Sequence, residues 1–330
     1  NATVTRENRG GVVTLFGASE EESIIYAAVN ISGNGVSFSG NSSVNGGAIY
    51  VGSYGILNVE ADDKDGISFG KTKDEYKENA ASGNGGAIFA EENAQITVKN
   101  VWFKGNTASV GGALYISNNC KTNISDCTFS SNIATGSTLG GGAIYSQADI
   151  KLSATTFMEF DSNSSLGNGG AVYAAGVVTL VGNPTFTKNT AKTSGGAIFA
   201  PNGLVLDGGY FESNVASEGF GGAVYVRNIL QKTTSSETLT VTFKANKAIY
   251  AGAIAIIDLQ QNTSLDNLYF DSNEYVNEGG AIYVENAAPN FMLTLGKTVS
   301  IASSKALNGN AQYQRGGAMY AKGGNVRFEG

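Results

Sequence analysis

Two tripeptides, Gly70-Lys71-Thr72 and Gly296-Lys297-Thr298, carry the residues that close a phosphate-binding loop. Such a loop needs another glycine five residues before its second one, and Asp65 and Phe291 stand there instead. Neither tripeptide can cradle a nucleotide. Asp62, Asp63 and Asp65 form the one weak candidate metal site, but they lack the spacing and terminal glutamate of a calcium loop. Serine and threonine are plentiful, yet the chain has no histidine, so it cannot build a Ser-His-Asp triad. Carboxylate pairs for sugar hydrolysis stay open, although Asp161 and Asp271 occupy matching positions and read as turn residues. Cys120 and Cys127 lie seven residues apart, a spacing that leaves both a local disulfide and two separate thiols open. The expectation is a protein that is not an enzyme and uses no cofactor.

The elements that must position these residues are repeats. A glycine pair followed by alanine, an aliphatic residue and an aromatic starts at Gly46, Gly85, Gly111, Gly141, Gly169, Gly195, Gly221, Gly279 and Gly316. Ala251-Gly252-Ala253-Ile254-Ala255 is a worn copy. Interleaved with these, Phe-x-x-Asn begins at Phe38, Phe103, Phe129, Phe160, Phe186, Phe211, Phe243 and Phe270, and Tyr76-Lys77-Glu78-Asn79 is a near copy. The first motif recurs every 26 to 39 residues, the period of a solenoid. Residues 1–37 read as a degenerate N-terminal coil or cap, and 38–330 as the regular array.

Composition narrows the function classes. With 21 basic and 28 acidic residues the net charge is −7, a poor match for nucleic acid or anionic lipid. The sequence opens at Asn1 in polar residues without a signal peptide. Its longest weakly polar run, 171–182, is too short for a membrane helix of ~20 residues. No membrane contact is expected from this stretch, with any export signal or anchor outside it.

Within a repeat there is no helical period. Ile96–Phe103, Val177–Val181, Leu204–Leu206 and Leu239–Phe243 alternate and are rich in β-branched residues, bounded by Gly, Asn, Asp and Ser. About three short strands per coil are expected. The aliphatic residue after each alanine and the residue two further on should point inward, with the alanine and the aromatic facing out. The aromatics from Tyr50 to Tyr320 should stack as an external ladder, the asparagines should bond between coils, and the phenylalanines should fill a corner of the core. The fold is read as all-β: a single-stranded right-handed parallel β-helix of about eleven coils, its hand following the preference of parallel crossovers.

The interleaved motifs, Gly-Gly-Ala-(Ile/Leu/Val) and Phe-x-x-Asn, resemble the passenger region of the chlamydial polymorphic outer membrane proteins from about Phe38 to Phe328. The resemblance implies an autotransporter that displays this rod at the bacterial surface, anchored in the outer membrane or secreted after cleavage. It further implies an adhesin whose partner is a protein receptor on the host cell, with adhesion linked to the motif residues. Carried onto this chain, these are Gly46, Gly47, Ala48, Gly85, Gly86, Ala87, Gly111, Gly112, Ala113, Phe38, Asn41, Phe103, Asn106, Phe129, Asn132, Phe160 and Asn163. Two other classes remain: a carbohydrate-active β-helix enzyme, lyase or hydrolase, and a structural coat protein that forms a homo-oligomer through the open ends of its stack.

Overall fold

The structure is a computed structural model of the chain, and it describes residues 11–20, 23–64, 66–71, 77–231, 239–286, 290–307, 314–323 and 325–329. Among them every regular element is a strand. The third coil is representative: Ile88–Ala90, Gln95–Lys99, Val101–Lys104 and Thr107–Ala108 form its four sides. Each strand pairs in parallel with its counterpart one coil away, so that Phe89 is in register with Tyr50 on one side and Tyr115 on the other. Stacking builds four lateral faces. The first has eleven strands, the third and fourth ten each, and the second is divided into sheets of eight and three.

There are therefore four strands per coil where alternation indicates three. The additional one follows the asparagine; it is two residues long in coils one to six, too short to show a period of two, and four to six residues long in coils seven to nine. The degenerate beginning is itself in register: Val13–Leu15, Ala27–Ser32 and Val36–Phe38 pair with the coil that follows. Ala18–Glu20 and Ser23–Ile25 form an antiparallel hairpin that departs from the stack.

The inward positions are those the alternation assigns, with Ile49, Val51, Ile88 and Ala90 all in the core. The alanines differ from expectation. Ala48, Ala87 and Ala113 belong to the same core, because each lies at the corner before its strand begins and is not bound by the strand's alternation. The outward aromatics do stack, with ring centroids 5.1 Å apart for Tyr50 and Phe89 and 4.6 Å for Phe199 and Tyr225. The ladder breaks at Ala255, which is in register with Tyr225 and Tyr283. Phe220 and Tyr250 fill the gap: they stack on each other at 4.6 Å and meet Tyr283 edge-on at 5.4 and 5.9 Å.

Inside, nine phenylalanines form one continuous stack from Phe38 to Phe270, for example Phe129 on Phe160 at 4.9 Å with rings 4° from parallel. The second rung is Phe69, placed 4.7 Å from Phe38 and 5.1 Å from Phe103. The sequence reading gives that rung to Tyr76, which lies outside the described residues. What misleads is an insertion between Phe69 and Asn79 that separates two halves elsewhere three residues apart.

Candidate functional site

The motif residues are the frame of the molecule. In the Phe-x-x-Asn turn the third residue has a left-handed backbone: glycine fills it at Gly40 and Gly105, with φ of 67° and 66°, but serine does so at Ser131 and Ser162, with φ of 55° and 56°. That conformation swings the asparagine inward. Asn163 donates from Nδ2 to Phe129 O at 2.9 Å and to Asn189 Oδ1 at 3.0 Å. Its own Oδ1 accepts from the backbone N and the Nδ2 of Asn132 at 3.0 and 2.9 Å. The pattern repeats through Asn79, Asn106, Asn132, Asn189, Asn214 and Asn246, all fully buried. The glycine pair has two separate tasks. Gly169 is left-handed at φ +64°, while a Cβ on Gly170 would collide with the carbonyl oxygen of Gly196 in the next coil. The worn copy keeps the second glycine and puts Ala251, at φ 59°, in place of the first.

The residues linked by resemblance to adhesion are consequently interior. Gly46, Gly47, Ala48, Gly85, Gly86, Ala87, Gly111, Gly112, Ala113, Phe103, Asn106, Phe129, Asn132, Phe160 and Asn163 are buried, and Phe38 and Asn41 in the first coil are half-buried. What the rod offers to a partner is its outward rows and its corners.

One corner stands out, that between the second and third faces. In coils three and four it is tight, turning on Asn100 at φ 56° and Asp126 at φ 52°. In coil two it widens to 61–66 and in coil five to 155–158, so two longer corners flank two short ones. Between them is a cleft of about 340 Å³ whose lining includes Asp62, Asp63, Lys99, Asp126, Thr156 and Phe157. Asn100 Nδ2 holds the near wall through Ala61 O at 2.9 Å. Asp126 holds the far wall, accepting from Thr156 N at 2.8 Å, Phe157 N at 3.3 Å and the Thr155 hydroxyl. Burial pushes the Asp126 carboxyl up, but these hydrogen bonds more than reverse that, leaving it below its ordinary value. Lys64 spans the cleft, with Nζ 3.4 Å from Glu159 Oε1 and 4.4 Å from the centre of the Phe157 ring. The cleft can hold charged groups. Asp126, its carboxylate engaged by these hydrogen bonds, serves there as a structural acceptor.

The other chemical candidates resolve into structure. Among the described residues no group of three or more Asp, Glu, Cys or His could hold a metal. Asp62 and Asp63 are exposed, Asp63 accepting from Asn34 Nδ2 at 2.9 Å, and Asp65 lies outside the described residues. The disulfide between Cys120 and Cys127 is not formed. Both are buried thiols, Cys120 donating to Glu91 O at 3.0 Å and Cys127 to Ser125 O at 3.1 Å. Burial pushes the Cys120 thiol up to about 11. Thr298 N donates to Asp266 Oδ1 at 2.8 Å, which makes 296–298 a turn around a carboxylate. Asp161 and Asp271 accept from Ser162 and Ser272 at 3.0 and 2.9 Å, the turn role their matching positions suggest.

Residues 35–52, 126–147, 158–175 and 185–201 match the family model described as the Chlamydia polymorphic membrane protein repeat. Each match brackets a glycine pair, a Phe-x-x-Asn, or both. The chain is 35% identical over 155 residues to "Probable outer membrane protein pmp20" of Chlamydia pneumoniae, an alignment covering 41% of this chain and 8% of that relative. The chain thus corresponds to a small part of the relative's length. No solved structure matches it. Both motifs recur in register from coil to coil, and the stretches that match the model hold copies of both, so the chain carries the repeat that describes the Chlamydia polymorphic membrane proteins.

Proposed function

We propose that this rod is the surface-displayed passenger of an outer-membrane autotransporter and that it attaches the bacterium to host cells through a protein receptor. The name of the relative, an outer membrane protein, supports the location. The observation that carries the attachment reading is the division of labour along the chain. The motif residues are spent on stacking, which leaves four long, repetitive outer faces whose side chains vary from coil to coil. A rigid array of this kind presents many weak contacts at fixed spacing, and avidity then multiplies them. The motifs support adhesion only indirectly, by holding the faces in register.

Cell binding by the purified chain tests this. A second version replaces corner 61–66 with the tight corner of coil three, and a third carries Asn163→Ala. A folded wild-type chain that binds no cells refutes the reading. Binding that survives the corner replacement moves the contact onto the flat faces. Binding that survives in Asn163→Ala after its coils have lost protection refutes the scaffold role of the motif.

A further inference from the structure

We propose that the corner cleft of coils two to five is a docking site for a lysine-bearing segment of a protein partner, its ammonium seat filled by the chain's own Lys64. The inference names the partner chemistry of one part of the attachment surface and rests on that reading for its biological use.

The Lys64 ammonium is on the face of Phe157, 4.4 Å from the ring centre, and 3.4 Å from the Glu159 carboxylate. An aromatic face beside a carboxylate is a recognition unit for a primary ammonium, and an internal side chain occupies it. That occupant is weakly held. Lys64 and Glu159 side chains are 45% and 46% exposed, a setting in which an ion pair contributes little. A cation from outside can therefore displace it, and when Lys64 leaves, the Phe157 face and the Glu159 carboxylate are freed.

A second, independent observation lies in the same outward row. Trp102, Thr128 and Glu159 are successive register partners on the third face. Thr128 is 8% exposed, and among the described residues its hydroxyl has no hydrogen-bond partner. That hydroxyl is covered as the site stands, next in register to the residue whose carboxylate holds the ammonium, and a peptide that displaces its cover would give it a backbone amide or carbonyl to pair with. The charge balance agrees: once Lys64 is displaced, Asp62, Asp63 and Asp126 line the cleft against Lys99 alone, and the whole chain carries −7, which draws in cationic segments and turns away polyanions.

Trp102 is the chain's one tryptophan and lies two coils from Glu159 in this row, so its fluorescence reports on the site. The test titrates the purified chain with tetralysine, with tetralysine acetylated on its side-chain amines, and with tetraglutamate. Saturable binding of tetralysine alone is expected. Lys64→Ala should tighten it about fivefold, equivalent to about 1 kcal/mol, because the internal competitor is gone. Lys297→Ala, an equal loss of charge far from the cleft, should leave it within about twofold. Glu159→Gln should weaken it about tenfold, whereas Glu218→Gln should not. Equal binding of the acetylated peptide, or equal effects of Lys64→Ala and Lys297→Ala, would overturn the proposal in favour of diffuse charge attraction. Circular dichroism of each variant confirms that the rod is intact. Cell binding measured in parallel separates the two readings. Failure of the peptide with cell binding intact sinks this inference alone, and the converse sinks the attachment reading alone.

Discussion

Replacing Asn163 with alanine removes one rung from the middle of the interior amide ladder, and its consequences can be worked from the bonds. Three groups lose their partners: the carbonyl of Phe129, the backbone N–H of Asn132 and one Nδ2 proton of Asn132. All lie where water does not reach, since Asn132 and Asn163 are 0% exposed. At ~1–3 kcal/mol for each orphaned group the sum is roughly 3–9 kcal/mol. Relaxation into the small space left behind favours the lower part, about 4 kcal/mol. In a solenoid such a loss is felt by neighbouring coils first, so the rod should loosen locally before it unfolds as a whole. Hydrogen exchange read by mass spectrometry is the direct assay. Amides of 129–164 should exchange about a thousandfold faster, while those of coils nine and ten barely change. Asn41 is the internal control, half-buried and, among the described residues, donating its Nδ2 to Asn79 Oδ1 alone, at 2.9 Å. Asn41→Ala should cost ~1 kcal/mol or less. If Asn163→Ala protects its coils as well as the wild type, or if the two substitutions cost the same, the claim that the ladder holds the coils together is wrong.

Other consequences follow from the same geometry. Gly170→Ala should destabilise more than Gly169→Ala: both drive a methyl into a backbone oxygen, Gly196 O of the next coil for the first and Val172 O of its own turn for the second, but Ala251 shows that the first-glycine position accepts a left-handed alanine, at roughly 1–2 kcal/mol; paired denaturant midpoints decide. Ser304 occupies the asparagine position one coil beyond Asn273, and its hydroxyl is unpaired among the described residues. Ser304→Asn should extend the ladder and add about 1–2 kcal/mol for two new hydrogen bonds, seen as slower exchange in the last coils. Asp126 is held below its ordinary 3.8 in the folded state, so it contributes stability at any pH above that value. That stability is lost as pH falls from 3.8 through the lower folded value, and acid titration should release the 155–158 corner early in wild type but show no such step in Asp126→Asn. Cys120, its thiol pushed up to about 11 and buried, should resist alkylation at pH 8 until the rod is unfolded.

Sequence alone made the stack legible because stacking repeats a constraint in every coil. The second glycine must be glycine wherever two backbones touch, and the asparagine must be asparagine wherever a side chain both accepts and donates along the axis. Such demands survive as letters at fixed spacing. Features that each coil meets in its own way left no such mark. The fourth strand is only two residues long in coils one to six, and the left-handed third residue of Phe-x-x-Asn is filled by Ser131, Lys188 and Ala245 alike, since the buried amide bonds override local preference. Phe69 was hidden by the insertion that follows it, though Ile67-Ser68-Phe69 has the same inward-outward-inward pattern as Val101-Trp102-Phe103.

The cleft was harder still to foresee, for it belongs to no single repeat. Asp62 and Asp63 were visible as a charged loop, but Asp126, Phe157 and Glu159 come from coils four and five, and Lys64 meets Glu159 across 95 residues of chain. Only the parallel register, which places every corner directly over the last, brings them together. Repetition and recognition therefore pull apart in this molecule. The residues that recur are buried and carry the architecture, whereas a partner can touch only what differs between one coil and the next. A search of such a chain for its contact surface does best to subtract the motifs and examine where successive corners change length, because a long corner beside short ones is what turns a flat ribbon into a concave site.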